Sequence, residues 1–487
     1  MGSLKTNVAL NMVNTITGII FPIITFPYAA RVLLPEGIGT VDFLNSIITY
    51  IVLFTSLGIP IYAVKEVARF RDDVALRNRT AVEILSLSFV LCLLGYVAVF
   101  ALGFFVPKIN HHLALFYVLS LTILFTTIGV SWFYQAIEDF KFITLRAVLF
   151  RCLAAAALFI FVKDKNDLII YGMIVVGSTV GNNFVNFIHL RVFIPLKQIQ
   201  WKELHIWHHL KPATHIFMLN LFTSIYLQLN IILLGFMHGE KAVGFYSAGN
   251  KLSLVVLMVV TSLSTVMLPR SSNLVETGKA DEFSAVCQKS MHWSVAMSLP
   301  LTAGLILLSG PLVAVFCGAH FAPSVSVLRW TAPIIIFVGL SNVYGIQILY
   351  PQGKENLVIL STLGGAVINF ILDIILIPYL AQDGAAIATF FTELVVLAIQ
   401  IIWGRRFIPF PLVDKTLTHY LAATAAMIIL LIPLLVFKMA ATVQIIIGVL
   451  VGAVVYGIAL LALKDALFKE LMNYCLGILH IKTIIKH

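Results

Sequence analysis

Charge is scarce in this chain. Only 11% of its 487 residues are Asp, Glu, Lys or Arg, where a soluble globular domain carries about 25%. That scarcity excludes a fold with water on every side. The five cysteines, Cys92, Cys152, Cys287, Cys317 and Cys475, form no CxxC pair and are odd in number. They read as small packing residues rather than a disulfide framework. A nucleophile motif, a phosphate-cradling glycine loop and an ATP-binding domain are also missing, so neither an enzyme nor an ATPase is expected. His205 and His209 stand four apart, and His111 adjoins His112. No acid or cysteine completes a ligand set around them, so they read as solvated interface residues and no metal is expected.

What is present is apolar. Hydrophobic residues make up 60% of the chain, and its mean hydropathy is +1.01. No soluble core hides that much apolar surface, which leaves a bilayer. Each helical crossing needs about 20 apolar residues, and the helix satisfies its own backbone there. Apolar runs fall at roughly 8–30, 38–61, 81–105, 113–134, 142–162, 168–190, 213–237, 242–268, 290–310, 324–350, 356–379, 384–404, 418–437 and 440–463. They predict an all-α polytopic membrane protein of about 14 transmembrane helices. The first run is too long for a signal-peptide core and lacks a cleavage site, so it is expected to be retained.

Lys and Arg set the orientation. The termini and every second loop hold 23 of them, the opposite loops hold six, and Arg151, Lys251 and Arg329 fall within spans. That bias puts both termini in the cytoplasm. It also accounts for most of the net charge of +10, so no nucleic-acid partner is expected. The opposite-side loops are all short. The longest cytoplasmic link, about 191–212, carries Trp201, Lys202, Trp207 and His208, which suits an amphipathic helix at the interface.

A weak internal repeat accompanies this pattern. Ile38-Gly39 and Asn45 align with Val243-Gly244 and Asn250, and Gln135-Ala136-Ile137-Glu138 aligns with Gln352-Gly353-Lys354-Glu355. The matches predict two pseudo-symmetric six-helix lobes, at 1–195 and 213–408. A cytoplasmic linker at 196–212 would join them, and a helix pair with a cytoplasmic tail would fill 409–487. Transporters built from such repeats bind substrate between the lobes.

The same segments carry a resemblance. Phe26-Pro27-Tyr28-Ala29-Ala30-Arg31-Val32-Leu33-Leu34-Pro35-Glu36-Gly37-Ile38-Gly39 resembles the first-loop signature of Wzx-type polysaccharide flippases. Trp132 to Phe140, Val243 to Lys251, Pro351 to Asn356, and Gly384 to Thr389 with Glu393 resemble further motifs of that family, in order. Two positions depart from it. Ala136 stands where the family often has Gly, and Asp373 where Asn is expected.

The family belongs to the multidrug/oligosaccharidyl-lipid/polysaccharide exporter superfamily. The resemblance implies two six-helix lobes around a central cavity in a bacterial cytoplasmic membrane. It implies export of an undecaprenyl-diphosphate-linked repeat unit of O-antigen or capsule. It also leaves room for partnership with polysaccharide polymerase machinery. A diphosphate head cannot cross hydrocarbon unaided and needs a polar, cationic passage.

Arg31, Arg151, Lys251 and Arg329 are the candidate phosphate partners, since guanidinium and ammonium groups hold phosphate well. Snorkelling to the interface competes with that role for Arg31 and Arg329. Asn45 and Asn250 are candidates for sugar hydroxyls, with interhelix hydrogen bonding as the alternative. Asp373 and Glu393 could couple a Na⁺ or H⁺ gradient, or serve as structural helix contacts. No other cofactor is expected. A drug/cation antiporter of the same superfamily is the alternative function. A membrane glycan polymerase is a more distant one, because it needs a sizeable outer catalytic loop.

Overall fold

The computed structural model describes residues 4–195, 204–408, 410–411, 414–437 and 439–478. Among them there is no strand, so the fold is all-helical. Trp201 and Lys202 of the expected interfacial link, and the tail beyond 478, lie outside the described residues. Among the described residues, eleven helical stretches are long and apolar enough to cross a membrane. Grouped by proximity, the chain forms two compact units, Met1–Gly244 and Phe245–His487.

The first unit opens with α1 (Leu4–Ser56), which is helical except at Leu34, with φ 62° and ψ 174°. Pro35 explains the site of the break. Its ring drives the preceding residue out of the α region, while proline itself suits the first position of a new helix. Unbroken, 53 residues would run about 80 Å, far more than a bilayer core of about 30 Å. The kink therefore separates two segments, each long enough to cross. α1 is followed by α2 (Ile59–Arg69), α3 (Val74–Phe105), α4 (Pro107–Asn110), α5 (Leu113–Thr127), α6 (Ser131–Ala136), α7 (Phe140–Phe161), α8 (Leu168–Val180), α9 (Asn182–Phe193) and α10 (Leu210–His238). Gly58 precedes α2 at φ 71°, a conformation open to glycine at little cost. Asp73 caps α3 through Leu76 N–H, and Asp139 caps α7 through Phe142 N–H.

The second unit takes up α11 (Glu240–Glu276) from Phe245 onward, then α12 (Ala280–Leu307), α13 (Ser309–Phe316), α14 (Ser324–Thr331) and α15 (Ile334–Ser341). A π-helical stretch, Asn342–Leu349, precedes α16 (Glu355–Gly404). α16 repeats the device of α1: Ala381, at φ 48° and ψ −125°, breaks a 50-residue helix three residues after Pro378. The expected separate runs at 356–379 and 384–404 are thus joined by a one-residue kink. α17 (Lys415–Val436), α18 (Ala441–Ala462) and α19 (Ala466–Ile478) end the described chain. α17 packs on α18 and on α12. Asp414 fixes its start, accepting from Thr416 N–H and Leu417 N–H and from His292 Nε2 at 2.6 Å.

Candidate functional site

Arg151 lies eleven residues into α7, about 16 Å along its axis. A charge at that depth costs about 3 kcal/mol or more unless it meets polar partners or a cavity. Its partners come from one face of α1, where Asn14, Thr17 and Gly18 recur at helical spacing. Nη1 donates to the Asn14 carbonyl at 2.9 Å, to Asn14 Oδ1 at 3.0 Å and to Thr17 Oγ1 at 2.8 Å. Gly18 lies beneath the same guanidinium. All three acceptors are neutral, so the hydrogen bonds fix the group without cancelling its charge. Asn14 is therefore a positioning partner of Arg151 in this structure.

Two further candidates belong to the first unit. Arg31 is exposed, three residues before the α1 kink, and Asn45 is half-buried beyond it. Close by, the turn at 35–39 meets the start of α11. A Cβ on Gly39 would stand 1.7 Å from the Glu240 carbonyl oxygen, and one on Gly244 would stand 1.9 Å from the Pro35 carbonyl oxygen. Only glycine permits either approach. Lys108 fastens the same corner. Its ammonium donates to the Gly235 carbonyl, lies 3.8 Å from Glu240 Oε1 and sits 5.7 Å from the centre of the Phe43 ring.

At the other end of α3 the histidines correct the sequence reading. His209 is buried rather than solvated, at 3% exposure, and an acid from far along the chain does pair with it. Its Nε2 lies 3.0 Å from Glu83 Oε2, and its Nδ1 lies 2.7 Å from the Tyr62 hydroxyl. Glu83 Oε1 also accepts from His205 N–H at 2.9 Å and from Arg79 Nε at 3.1 Å. The chain Tyr62–His209–Glu83 pins the 3₁₀ turn Ile206–His209 to α2 and α3. Among the described residues no cluster of three His, Cys, Asp or Glu side chains is placed to hold a metal.

In the second unit Asn250 and Lys251 are half-buried near the start of α11. Arg329 is exposed on α14, and its Nε donates to Ser309 Oγ at 2.9 Å. The acids lie deeper. Asp373 is 0% and Glu393 7% exposed, on opposite sides of the α16 kink. The two halves of α16 meet at Gly365, where an added Cβ would stand 2.4 Å from Val396 Cγ2. Gly365, Asn369 and Asp373 follow at four-residue spacing on that face. Among the described residues, neither oxygen of Asp373 and neither side-chain polar atom of Asn369 has a hydrogen-bond partner. Buried polar groups are normally paired, so these unsatisfied side chains stand out as a candidate site.

Sequence reasoning named Asp373 but missed Asn369. It also missed the neighbouring polar core, in which Gln347 Nε2 donates to Ser264 Oγ at 2.9 Å and Gln400 Nε2 to Ser361 Oγ at 3.2 Å. A four-residue polar spacing in an apolar run was the available signal.

The family model for "Polysaccharide biosynthesis protein" matches residues 4–275, and the MatE model matches residues 215–375. A protein of Escherichia coli (strain K12), provisionally named an O-antigen transporter, is 23% identical over 407 residues, covering 83% of this chain and 97% of that protein. Among solved structures, the lipid II flippase MurJ in an inward closed conformation superposes with a TM-score of 0.69 at 17% identity, covering 94% of this chain and all of that one. An inward-facing multidrug resistance MATE family transporter of the MOP superfamily gives 0.62 at 12% identity, covering 82% and 98%. The fold is thus of the MurJ and MATE kind.

Proposed function

This chain belongs to the polysaccharide biosynthesis protein family, and from that premise we propose that it is a flippase for a lipid-linked oligosaccharide. Its substrate is an undecaprenyl-diphosphate-linked repeat unit of O-antigen or capsule, moved from the cytoplasmic to the outer leaflet of the bacterial cytoplasmic membrane. The observation that carries this reading is Arg151, a guanidinium deep in an apolar helix whose three hydrogen bonds all go to neutral oxygens. A fixed, uncancelled positive charge at that depth suits a diphosphate passing through. The relatives' names and the MurJ-like fold support the same substrate class.

The mechanism is alternating access between two six-helix lobes, with the C-terminal helix pair beside them and both termini in the cytoplasm. Fourteen crossings result if each kinked helix crosses twice and α10 crosses once. Arg31, Arg151, Lys251 and Arg329 line a cationic path for the head group, with Asn45 and Asn250 toward the sugar. The prenyl tail stays in the bilayer. Carrying two negative charges out of a negative interior gains about 4–5 kcal/mol per 100 mV. Asp373, with Asn369 one turn away, takes up Na⁺ or H⁺ as the coupling ion, and Glu393 lies on the second half of the same helix. Polymerase machinery then receives the exported unit.

The test is export of a lipid-linked repeat unit in cells that lack their own carrier. Arg151→Ala, present in the membrane at normal level, should fail to restore it, and normal export would overturn the assignment. One observation favours a second reading. The buried acids of the second unit, within and near the MatE match, suit a drug/cation antiporter. Efflux of cationic dyes, lost in Asp373→Asn while oligosaccharide export stays absent, would select it.

A further inference from the structure

A groove of about 550 Å³ runs along the outside of the first unit, among α1, α3 and α10. One wall is an α1 stripe, Ile47, Tyr50, Ile51 and Phe54, at the spacing of a single helix face. The facing wall is an α3 stripe, Leu91, Leu94, Ala98 and Leu102, and Ile232 and Phe236 of α10 close the third side. Only Tyr50 and Thr55 bring a polar atom to the lining. Leu94 is 61% and Phe54 52% exposed, and so apolar an open lining suits hydrocarbon rather than water. From Leu91 to Leu102 it extends about 16 Å, close to half of a bilayer core of about 30 Å. One leaflet's acyl chain has that reach.

The end of the groove at Ile109 and Phe236 is polar. Lys108, next to Ile109, donates to the carbonyl of Gly235, next to Phe236, and its ammonium stands 3.8 Å from Glu240 Oε1. Both side chains are partly exposed, at 27% and 22%. The mouth therefore offers one ammonium, with donors beyond the one given to Gly235, and one carboxylate.

We propose that this groove binds a single ethanolamine phospholipid from the leaflet on the Lys108 side. One acyl chain fills the groove, the phosphate meets Lys108, and the primary ammonium meets Glu240. A phosphatidylglycerol headgroup offers the Glu240 carboxylate hydroxyl donors but no cation, and its net negative charge is repelled there. A choline headgroup has no N–H to donate. The assignment is independent of the cargo the protein carries.

The experiment is native mass spectrometry of the purified full chain in equal phosphatidylethanolamine and phosphatidylglycerol. The unaltered chain should retain one phosphatidylethanolamine, at least fivefold over phosphatidylglycerol. Ala98→Trp, which fills the groove, should lose it. Ala157→Trp, in a separate groove of about 460 Å³ between α7 and α8, should not. Glu240→Gln should bring the two lipids to parity, and Lys108→Gln should weaken retention of both. Retention by Ala98→Trp, or equal retention of both lipids by the unaltered chain, overturns the proposal. A benzophenone side chain at Leu94 gives a check that needs no filling substitution. In mixed-lipid membranes it should capture phosphatidylethanolamine, and capture of phosphatidylglycerol alone, or of no lipid, also overturns it.

Discussion

Gly39 and Gly244 each rest against the backbone of the other's turn: Gly39 on the Glu240 carbonyl, Gly244 on the Pro35 carbonyl. Residues 35 and 240 are separated by the same 205 positions as 39 and 244. Repeat-related residues thus meet reciprocally, as in an isologous contact between identical subunits. The weak sequence repeat has a physical counterpart at this one place. Gly39→Ala or Gly244→Ala must push two backbones apart, at a cost of about 1–3 kcal/mol as for other overpacking. Thermal unfolding in detergent should show a lowered midpoint for each. The double variant should lose less than the two singles added, because both act on one contact.

Removing the Asn14 side chain tests the anchoring of Arg151 without touching its charge. Asn14→Leu removes one of three hydrogen-bond acceptors and leaves the backbone carbonyl and Thr17 in place. Export should fall several-fold and stay well above that of Arg151→Ala. Equal loss in the two variants would mean that the helix contact, not the charge, is what matters. Transport assays at matched membrane levels decide this.

Asp373→Asn should separate coupling from stability. A buried carboxylate without partners is costly, and Asn keeps the shape without the charge. The variant should unfold at the same temperature as the parent or higher, yet lose the dependence of transport on an imposed Na⁺ or proton gradient. Undiminished gradient dependence would remove Asp373 from the coupling role.

His209→Leu leaves Glu83 and Tyr62 each short of a partner in a buried setting. The expected loss is about 2–3 kcal/mol. Hydrogen exchange should rise at residues 204–210, where the turn is held, before it rises elsewhere.

The attachment of α17 should be acid-sensitive. Burial pushes the Asp414 carboxyl up, but hydrogen bonds from His292, Leu417 N–H and Gln288 together hold it below the ordinary carboxylate value. A depressed folded-state value means the stabilisation is complete above the unfolded value near about 4, and is lost as pH falls through the folded one. Unfolding midpoints of the parent should drop on acidification below about pH 4. Asp414→Ala should start about 1 kcal/mol lower, having lost a helix cap, and show less of that drop.

The all-helical, many-span character was legible in composition, because hydrocarbon imposes long apolar runs. The kinks were legible only in part. Pro35 and Pro378 announce a disturbance, but nothing in Leu34 or Ala381 marks either as a residue that adopts positive φ. Tertiary packing imposes it. Arg151 stood out because a lone charge in an apolar run is conspicuous. Its partners did not, since Asn14 and Thr17 lie more than 130 positions away. Glu83 and His209 escaped for the same reason, at a separation of 126. Asn369 was missed although its four-residue spacing from Asp373 was legible, and Gln347 because a single amide in an apolar stretch does not show which neighbour it packs against.

The break at Leu34 also governs how the protein can be probed from outside. Because one residue makes the turn, α1 offers no slack there, and an epitope or protease site inserted between Leu34 and Pro35 would unwind helix on both flanks. Topology reporters belong instead in the stretch from Val162 to Asp167, where helices are already absent. A silent reporter at the first position and a readable one at the second would reflect local mechanics rather than sidedness.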